Sequence, residues 1–217
     1  MMDLLPLFPL NTVLFPRQAL PLHVFEERYR LMIGRCIDER APFGVVLIRS
    51  GEEAGGDAEP HDIGTTALVA RVQRLPDGRM NVIAVGERRF RITALDRGEP
   101  YLRGQVEYVE STNPGAAEAI AEANKTAALF AEHYRLQMAV TGQWTRKLRL
   151  PDDPDALADF VAAKLDTPPE TKQELLETLS VPARLRREAD LLGEGIRALT
   201  ERWSDNRRRR FAGSALN

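Results

Sequence analysis

The hydrophobic period of the chain changes near residue 112, and this change constrains the fold more than any other feature. Up to Glu110 the dominant period is two. Phe90, Ile92 and Ala94 alternate with Arg89, Arg91 and Thr93, which predicts a strand with one buried face. Leu102, Val106 and Tyr108 alternate in the same way with Arg103, Gln105 and Glu107, with Gly104 among the inward positions. Phe43 to Ile48 is apolar on both faces, as a central strand covered on two sides would be. Thr66 to Leu75 and Met80 to Val85 flank Pro76-Asp77-Gly78, where Pro sets φ and Gly accepts a positive φ, so a hairpin turn is expected there. A second turn is expected at Gly86-Glu87. Short strands joined by turns predict a small barrel or sandwich, because closing a sheet removes its unpaired edges. One helix interrupts this region: from Phe25, the residues Tyr29, Met32, Ile33, Cys36 and Ile37 fall on one helical stripe.

After Ser111 the period becomes helical. Asn113-Pro114 predicts an N-cap followed by Pro at the first helical position, and Gly142 a stop. Ile120, Ala123, Ala127, Phe130, Tyr134 and Met138 form the stripe between them. Asp153-Pro154 opens a helix carrying Leu157, Phe160, Val161 and Leu165. Thr167 and Glu170 stand at capping-box spacing before a third helix, with Leu175, Leu176 and Leu179 on its buried side. Ser180-Val181-Pro182 opens a fourth, with Leu185, Leu192, Ile196, Leu199 and Trp203 on one face. The expected organisation is α+β: a β-barrel domain over residues 1–112, a helical bundle over 113–205, and a disordered basic tail over 206–217.

Composition narrows the function by exclusion. A single cysteine forbids a disulfide framework and a cysteine-based zinc site, and Cys36, on the helical stripe, reads as a buried thiol and not a nucleophile. Apolar runs as short as Val45 to Ile48 are far below the roughly 20 residues of a membrane span. Residues 1–16 contain Asp3 and three prolines and lack a basic start, so they make a poor signal peptide, and a cytoplasmic protein is expected. A net charge of −2 argues against a surface built wholly for nucleic acid. The acidic stretch over 51–62 reads as a solvated loop, without the spacing of a calcium loop. The four arginines Arg207 to Arg210 read as a solvated part of the tail.

No catalytic constellation emerges. Lys125, Lys147, Lys164 and Lys172 are the only lysines, and none follows a glycine as a phosphate-binding loop requires. His23, His61 and His133 are scattered, not paired one helical turn apart as in a zinc hydrolase. No serine lies in a Gly-x-Ser-x-Gly elbow. The expectation is a non-enzymatic chain with no cofactor and no metal.

The N-terminal segment carries a resemblance. Leu5-Pro6-Leu7-Phe8-Pro9-Leu10-Asn11-Thr12-Val13-Leu14-Phe15-Pro16, followed by Leu20 to Arg30, is similar to the N-terminal substrate-binding domain of Lon-type ATP-dependent proteases. The likeness continues through Phe43 to Ile48, Ile63-Gly64-Thr65, Pro76 to Arg79, Val85 to Ile92, Pro100-Tyr101-Leu102, Leu150 to Pro154 and Lys172 to Leu176. It implies a PUA-like β-barrel with one inserted helix, followed by a C-terminal α-helical bundle. It also implies a chain that recognises unfolded or misfolded polypeptides, with ATP hydrolysis and proteolysis left to modules that this sequence does not contain. A recognition factor or adaptor for protein quality control is the expectation, acting with a separate ATP-dependent protease and without a membrane or nucleic acid. Phe15, Phe25, Arg28, Tyr29 and Arg30 surround the most family-like block and are the candidate polypeptide-binding residues. An RNA-binding PUA-like module is the alternative, since 26 of the 30 basic residues are arginine. A hydrolase with a site assembled from scattered residues is a third reading. The last helical stripe fits either internal packing or a homo-oligomer seam.

Overall fold

The alternating segments close into a ring. A computed structural model describes residues 4–51, 58–141 and 148–214, with side chains through residue 203. Its strands are β1 (Leu5–Leu10), β2 (Ala19–Val24), β3 (Phe43–Ser50), β4 (Glu59–Pro60), β5 (Ile63–Arg74), β6 (Met80–Asp96) and β7 (Arg103–Tyr108). Its helices are α1 (Glu27–Glu39), between β2 and β3, then α2 (Ala117–Thr141), α3 (Pro154–Lys164), α4 (Pro169–Glu177) and α5 (Val181–Ser214). The chain divides into two units, residues 1–112 with 162–179, and residues 113–161 with 180–217.

In the first unit β1, β7, β6, β5 and β3 pair in sequence, and β3 returns to β1, so five strands form a closed circuit. Every pairing in the ring is antiparallel except β1 with β3. Strand β6 is long enough to serve two neighbours on one edge: Met80–Val85 pair with β2, and Phe90–Asp96 pair with β7. Leu5, Leu7, Val46 and Phe90 fill the ring. The phenyl ring of Phe90 fits because two glycines face it. A Cβ on Gly44 would lie 2.6 Å from Phe90 Cζ, and one on Gly64 would lie 2.9 Å from the same atom and 2.4 Å from the Val45 carbonyl. A second cluster lies under α1, where Tyr29, Met32, Ile33 and Cys36 pack with Phe8, Leu10, Phe43, Met80 and Val82. The predicted stripe of α1 is therefore its buried face, except that Phe25 lies before the helix and not within it.

Several local expectations are corrected. Gly86 lies inside β6 and makes no turn; a Cβ there would meet the Phe15 carbonyl at 2.3 Å, so the glycine answers a close approach. Asn113 adopts a left-handed conformation, φ 58°, and its carbonyl accepts from the Ala116 amide, so Asn113-Pro114 forms a turn and α2 starts at Ala117. The N-cap of α4 is Pro168, without a side-chain bond, and Thr167 stands one residue too early for the predicted capping box. Asp153 does cap α3, its carboxylate accepting the Ala156 amide at 2.8 Å. On α2 the buried residues are Ala119, Ala123, Thr126 and Phe130, whereas Ile120 is 51% exposed: the stripe is rotated toward small residues.

Helix α4 belongs by its contacts to the barrel unit, although its sequence reads as part of the helical domain. Leu175 and Leu176 are buried, the Gln173 amide donates to the Ile63 carbonyl at 2.9 Å, and buried Arg89 donates to the Leu176 carbonyl at 3.1 Å. The arginine meets one of the last carbonyls of α4, which the helix itself leaves unsatisfied.

In the second unit α2 and α5 pack together, and Thr126 donates to the Leu185 carbonyl. Phe130 meets Phe160 edge to face at 5.8 Å between centroids. Val181, Arg184, Leu185, Glu188 and Leu192 share the buried stripe of α5. Fully buried Arg184 pairs with Asp155 at 2.5 Å and with buried Asp159 at 3.5 Å. Helix α5 extends to Ser214, past the residue 206 at which the tail is expected to start. The side chains of Arg207 to Arg210, residues 52–57 of the acidic stretch and the predicted stop at Gly142 lie outside the described residues.

Two predictions follow from this packing. Gly44→Ala and Gly64→Ala each destabilise the protein by about 1–3 kcal/mol through overpacking. Adding Phe90→Leu recovers part of the Gly44→Ala cost, whose clash is with side chains, but little of the Gly64→Ala cost, whose nearest obstacle is a backbone oxygen; urea unfolding of single and double variants measures the coupling. Arg184→Met removes the buried cation that faces Asp155 and Asp159 and costs about 3–5 kcal/mol, read from the same unfolding curves.

Candidate functional site

Strand β2 reads Ala-Leu-Pro-Leu-His-Val, with Leu20, Leu22 and Val24 turned toward the core and Ala19, Pro21 and His23 exposed. Among the described residues β2 pairs with β6 alone, so its other edge carries no strand. A groove of about 430 Å³ opens along it, lined by Phe8, Leu10, Leu20, Leu22, Phe25 and Tyr29 among others. The sequence places each wall for a local reason. Pro21 lacks an amide hydrogen and suits an edge strand. Phe25 stands between the end of β2 and the start of α1, where no regular element turns its ring inward, and it is 57% exposed. The ring of Phe25 lies 6.1 Å from that of His23 in a near-parallel stack.

The floor is a stack of three groups. Phe8 and Tyr29 lie 4.1 Å apart between ring centroids at 25°, and the Arg28 guanidinium sits 4.4 Å from the centroid of Tyr29. Arg28 also pairs with Glu26 at 2.9 Å, so the one carboxylate on the lining is neutralised within the protein. The groove is an apolar slot with its charge balanced locally, suited to uncharged, extended or aromatic ligands.

The five candidate residues separate. Phe25 and Tyr29 line the groove, the first as an exposed wall and the second as a buried floor. Arg28 braces Tyr29 from beside it. Arg30 faces the β5–β6 turn, its guanidinium 3.5 Å from the Asp77 carbonyl. Phe15 is fully buried and presents no surface to any ligand. Leu20, Pro21 and Leu22 complete the site, and the period-two pattern of Leu20, Leu22 and Val24 is the signal that marks them as a strand.

Other chemistry-bearing groups lie outside the lining of this groove. Burial pushes the Cys36 thiol up to about 11. Burial also lowers the Lys172 ammonium below its ordinary value, and its Nζ donates to the Ala163 carbonyl in the last turn of α3. His61 lies 3.5 Å from the Glu177 carboxylate. Among the described residues no group of three or more His, Cys, Asp or Glu side chains could hold a metal ion, and no helix is long and apolar enough to cross a membrane.

Comparison with known proteins places this geometry in context. The family model described as the ATP-dependent protease La (LON) substrate-binding domain matches residues 4–194. The chain is 31% identical over 191 residues to Lon protease of Anaeromyxobacter dehalogenans, covering 87% of this chain and 23% of that protein. It is 34% identical over 193 residues to Lon protease of Koribacter versatilis, again covering 23% of the relative. The chain thus spans about a quarter of the length of these relatives. Among solved structures it resembles the N-terminal domain of Mycobacterium avium complex Lon protease, with TM-score 0.68, 23% identity, and 88% of this chain and 98% of the other covered. It also resembles a Lon N-terminal domain protein from Xanthomonas campestris, with TM-score 0.60, 24% identity, and 85% and 96% covered. These likenesses establish the barrel with an inserted helix followed by helices.

The thiol supplies a test of the structural reading. With a pKa of about 11, roughly one Cys36 in a thousand is thiolate at pH 8, and the group is buried, so native protein reacts with a disulfide reagent far more slowly than urea-unfolded protein. The folded thiol holds its proton above the ordinary value of 9.0, so stability declines as pH rises from 9.0 to about 11. Cys36→Ala removes that decline, measured by unfolding at stepped pH.

Proposed function

Given that the chain belongs to the ATP-dependent protease La (LON) substrate-binding domain family, we propose that it captures exposed apolar segments of unfolded or damaged polypeptides in the groove beside β2. The chain supplies recognition, and cutting is done by a separate ATP-dependent protease to which the captured client is passed, which makes the chain an adaptor in protein quality control. The observation that carries this reading is the pairing of an exposed Phe25 with an apolar, locally neutralised slot. A large aromatic ring at 57% exposure over such a slot leaves apolar area in water that an unfolded segment would cover. Unfolded chains expose the same kind of surface, whereas folded proteins bury it, so an apolar slot discriminates between them without reading sequence. No catalytic group is needed for this role.

The affinity of a labelled, carboxymethylated polypeptide that cannot refold tests the proposal by fluorescence anisotropy. Binding is expected at about 50 μM or tighter. Phe25→Ser weakens it about five- to tenfold, because an anchor ring at the groove wall is lost, while circular dichroism and unfolding stay unchanged, because the ring is exposed. Absence of binding at that concentration, or equal affinity of the Phe25→Ser protein, overturns the proposal.

A further inference from the structure

We propose that the occupant enters as an added β-strand, hydrogen-bonded to the outer edge of β2, with its alternate side chains seated in the groove. The inference rests on the polypeptide-binding reading above and names the mode and chemistry of that binding.

The backbone phase of β2 is set by its pairing. The Gly86 amide donates to the Gln18 carbonyl at 2.9 Å, and the register continues as Leu20 with Ala84, Leu22 with Val82 and Val24 with Met80. In an antiparallel ladder alternate residues bond to the partner, so Leu20, Leu22 and Val24 turn their amides and carbonyls toward β6. Ala19, Pro21 and His23 turn theirs outward. Pro21 sits where a missing amide costs the ladder nothing. The outer edge therefore presents the amides of Ala19 and His23 and the carbonyls of Ala19, Pro21 and His23. Such a row matches the backbone of an extended chain and not that of a helix, whose amides and carbonyls are bonded internally. The gap at Pro21 keeps the edge from offering an unbroken template for pairing with other strands.

The groove on the core side of this edge matches the second property of a strand, the alternation of its side chains. Alternate side chains of an added strand face the groove of about 430 Å³, and the rest face solvent on the side of Pro21 and His23; a second hollow of about 450 Å³ lies over the paired side of β2. The second hollow is lined further by Arg71, Gln73, Asn81, Val82 and Ile83. Ile83 is exposed there, and His23 Nδ1 lies 2.8 Å from Asn81 Oδ1. Glu26 in the groove is balanced by Arg28, whereas the charged residue lining the second hollow is the exposed Arg71. The complementary occupant is an extended segment whose alternate residues are apolar on the groove side and polar on the solvent side.

The test uses the full chain and a labelled heptapeptide alternating Leu or Val with Glu or Ser. Two further copies are N-methylated, one on each alternate set of amides. One set of amides faces β2 and the other faces away, so methylation of one set is expected to lower affinity about tenfold or more, and methylation of the other to leave it within about twofold. On the protein side, His23→Pro removes an outward amide while leaving the bonds of Leu20, Leu22 and Val24 to β6, and His23→Ala keeps that amide. His23→Pro is expected to bind about tenfold more weakly than His23→Ala. If both methylated peptides bind as the parent does, strand addition is overturned while capture of apolar segments stands. If the parent peptide and the unfolded polypeptide both fail to bind, the polypeptide-binding reading falls, and this inference with it. A parent peptide that binds with both methylated copies equally weakened also overturns the assignment of a single free edge.

Discussion

The barrel depends on how closely its strands can approach one aromatic ring. Phe90 occupies the interior of a five-stranded circuit, and the backbones at Gly44 and Gly64 lie so near it that neither position has room for a Cβ. A ring this small has little interior volume, and one phenyl group with Leu5, Leu7 and Val46 fills it. Close packing of this kind makes the interior intolerant of both larger and smaller side chains. The strands are held in one register as a result, and the parts of the sheet that extend beyond the ring inherit that register.

The groove is a consequence of strand lengths. Strand β6 continues past the segment that pairs with β7, and β2 takes the edge so vacated. Because β2 is short and paired on one side, an apolar slot is left between it and the residues that follow β1. Helix α1 closes the slot from below through Tyr29, whose ring is clamped between Phe8 and the Arg28 guanidinium. An exposed aromatic wall over a packed floor would serve the proposed capture of chains of many sequences, since apolar contact is common to all of them. The helix α4 carbonyl held by Arg89, and the Gln173 contact with Ile63, show the same economy in the barrel unit: long polar side chains satisfy backbone groups that the elements themselves leave open.

Much of this architecture is legible in the residues. The apolar run of Phe43 to Ile48 identifies β3, the turn residues Pro76-Asp77-Gly78 identify the β5–β6 hairpin, and the stripe of Tyr29, Met32, Ile33 and Cys36 identifies α1 and its buried face. Misreadings occur where a residue has two uses. Gly86 reads as a turn because glycine favours turns, yet its role is to let Phe15 pass at close range. Ile120 reads as core because it is apolar, yet α2 meets its neighbours through Ala119, Ala123 and Thr126, where small side chains permit close approach. Arg184 stands on the stripe of Val181, Leu185 and Leu192, and an arginine at core spacing is a visible sign of a buried ion pair. For the site, Phe25 and Tyr29 are identifiable from the family-like block, whereas Phe15, in the same block, is enclosed by the fold.

The sequence by itself determined the strand-rich first half, the helical second half, the inserted helix and the family, because each of these is written in local periodicity or in contiguous motifs. Only the tertiary structure decided which aromatic rings remain at the surface, which helix joins the barrel unit, and that among the described residues one edge of β2 pairs with no strand. These outcomes depend on contacts between residues far apart in the chain, such as Gly86 with Phe15 and Gln173 with Ile63, and local patterns carry no information about which distant segment will cover a given face.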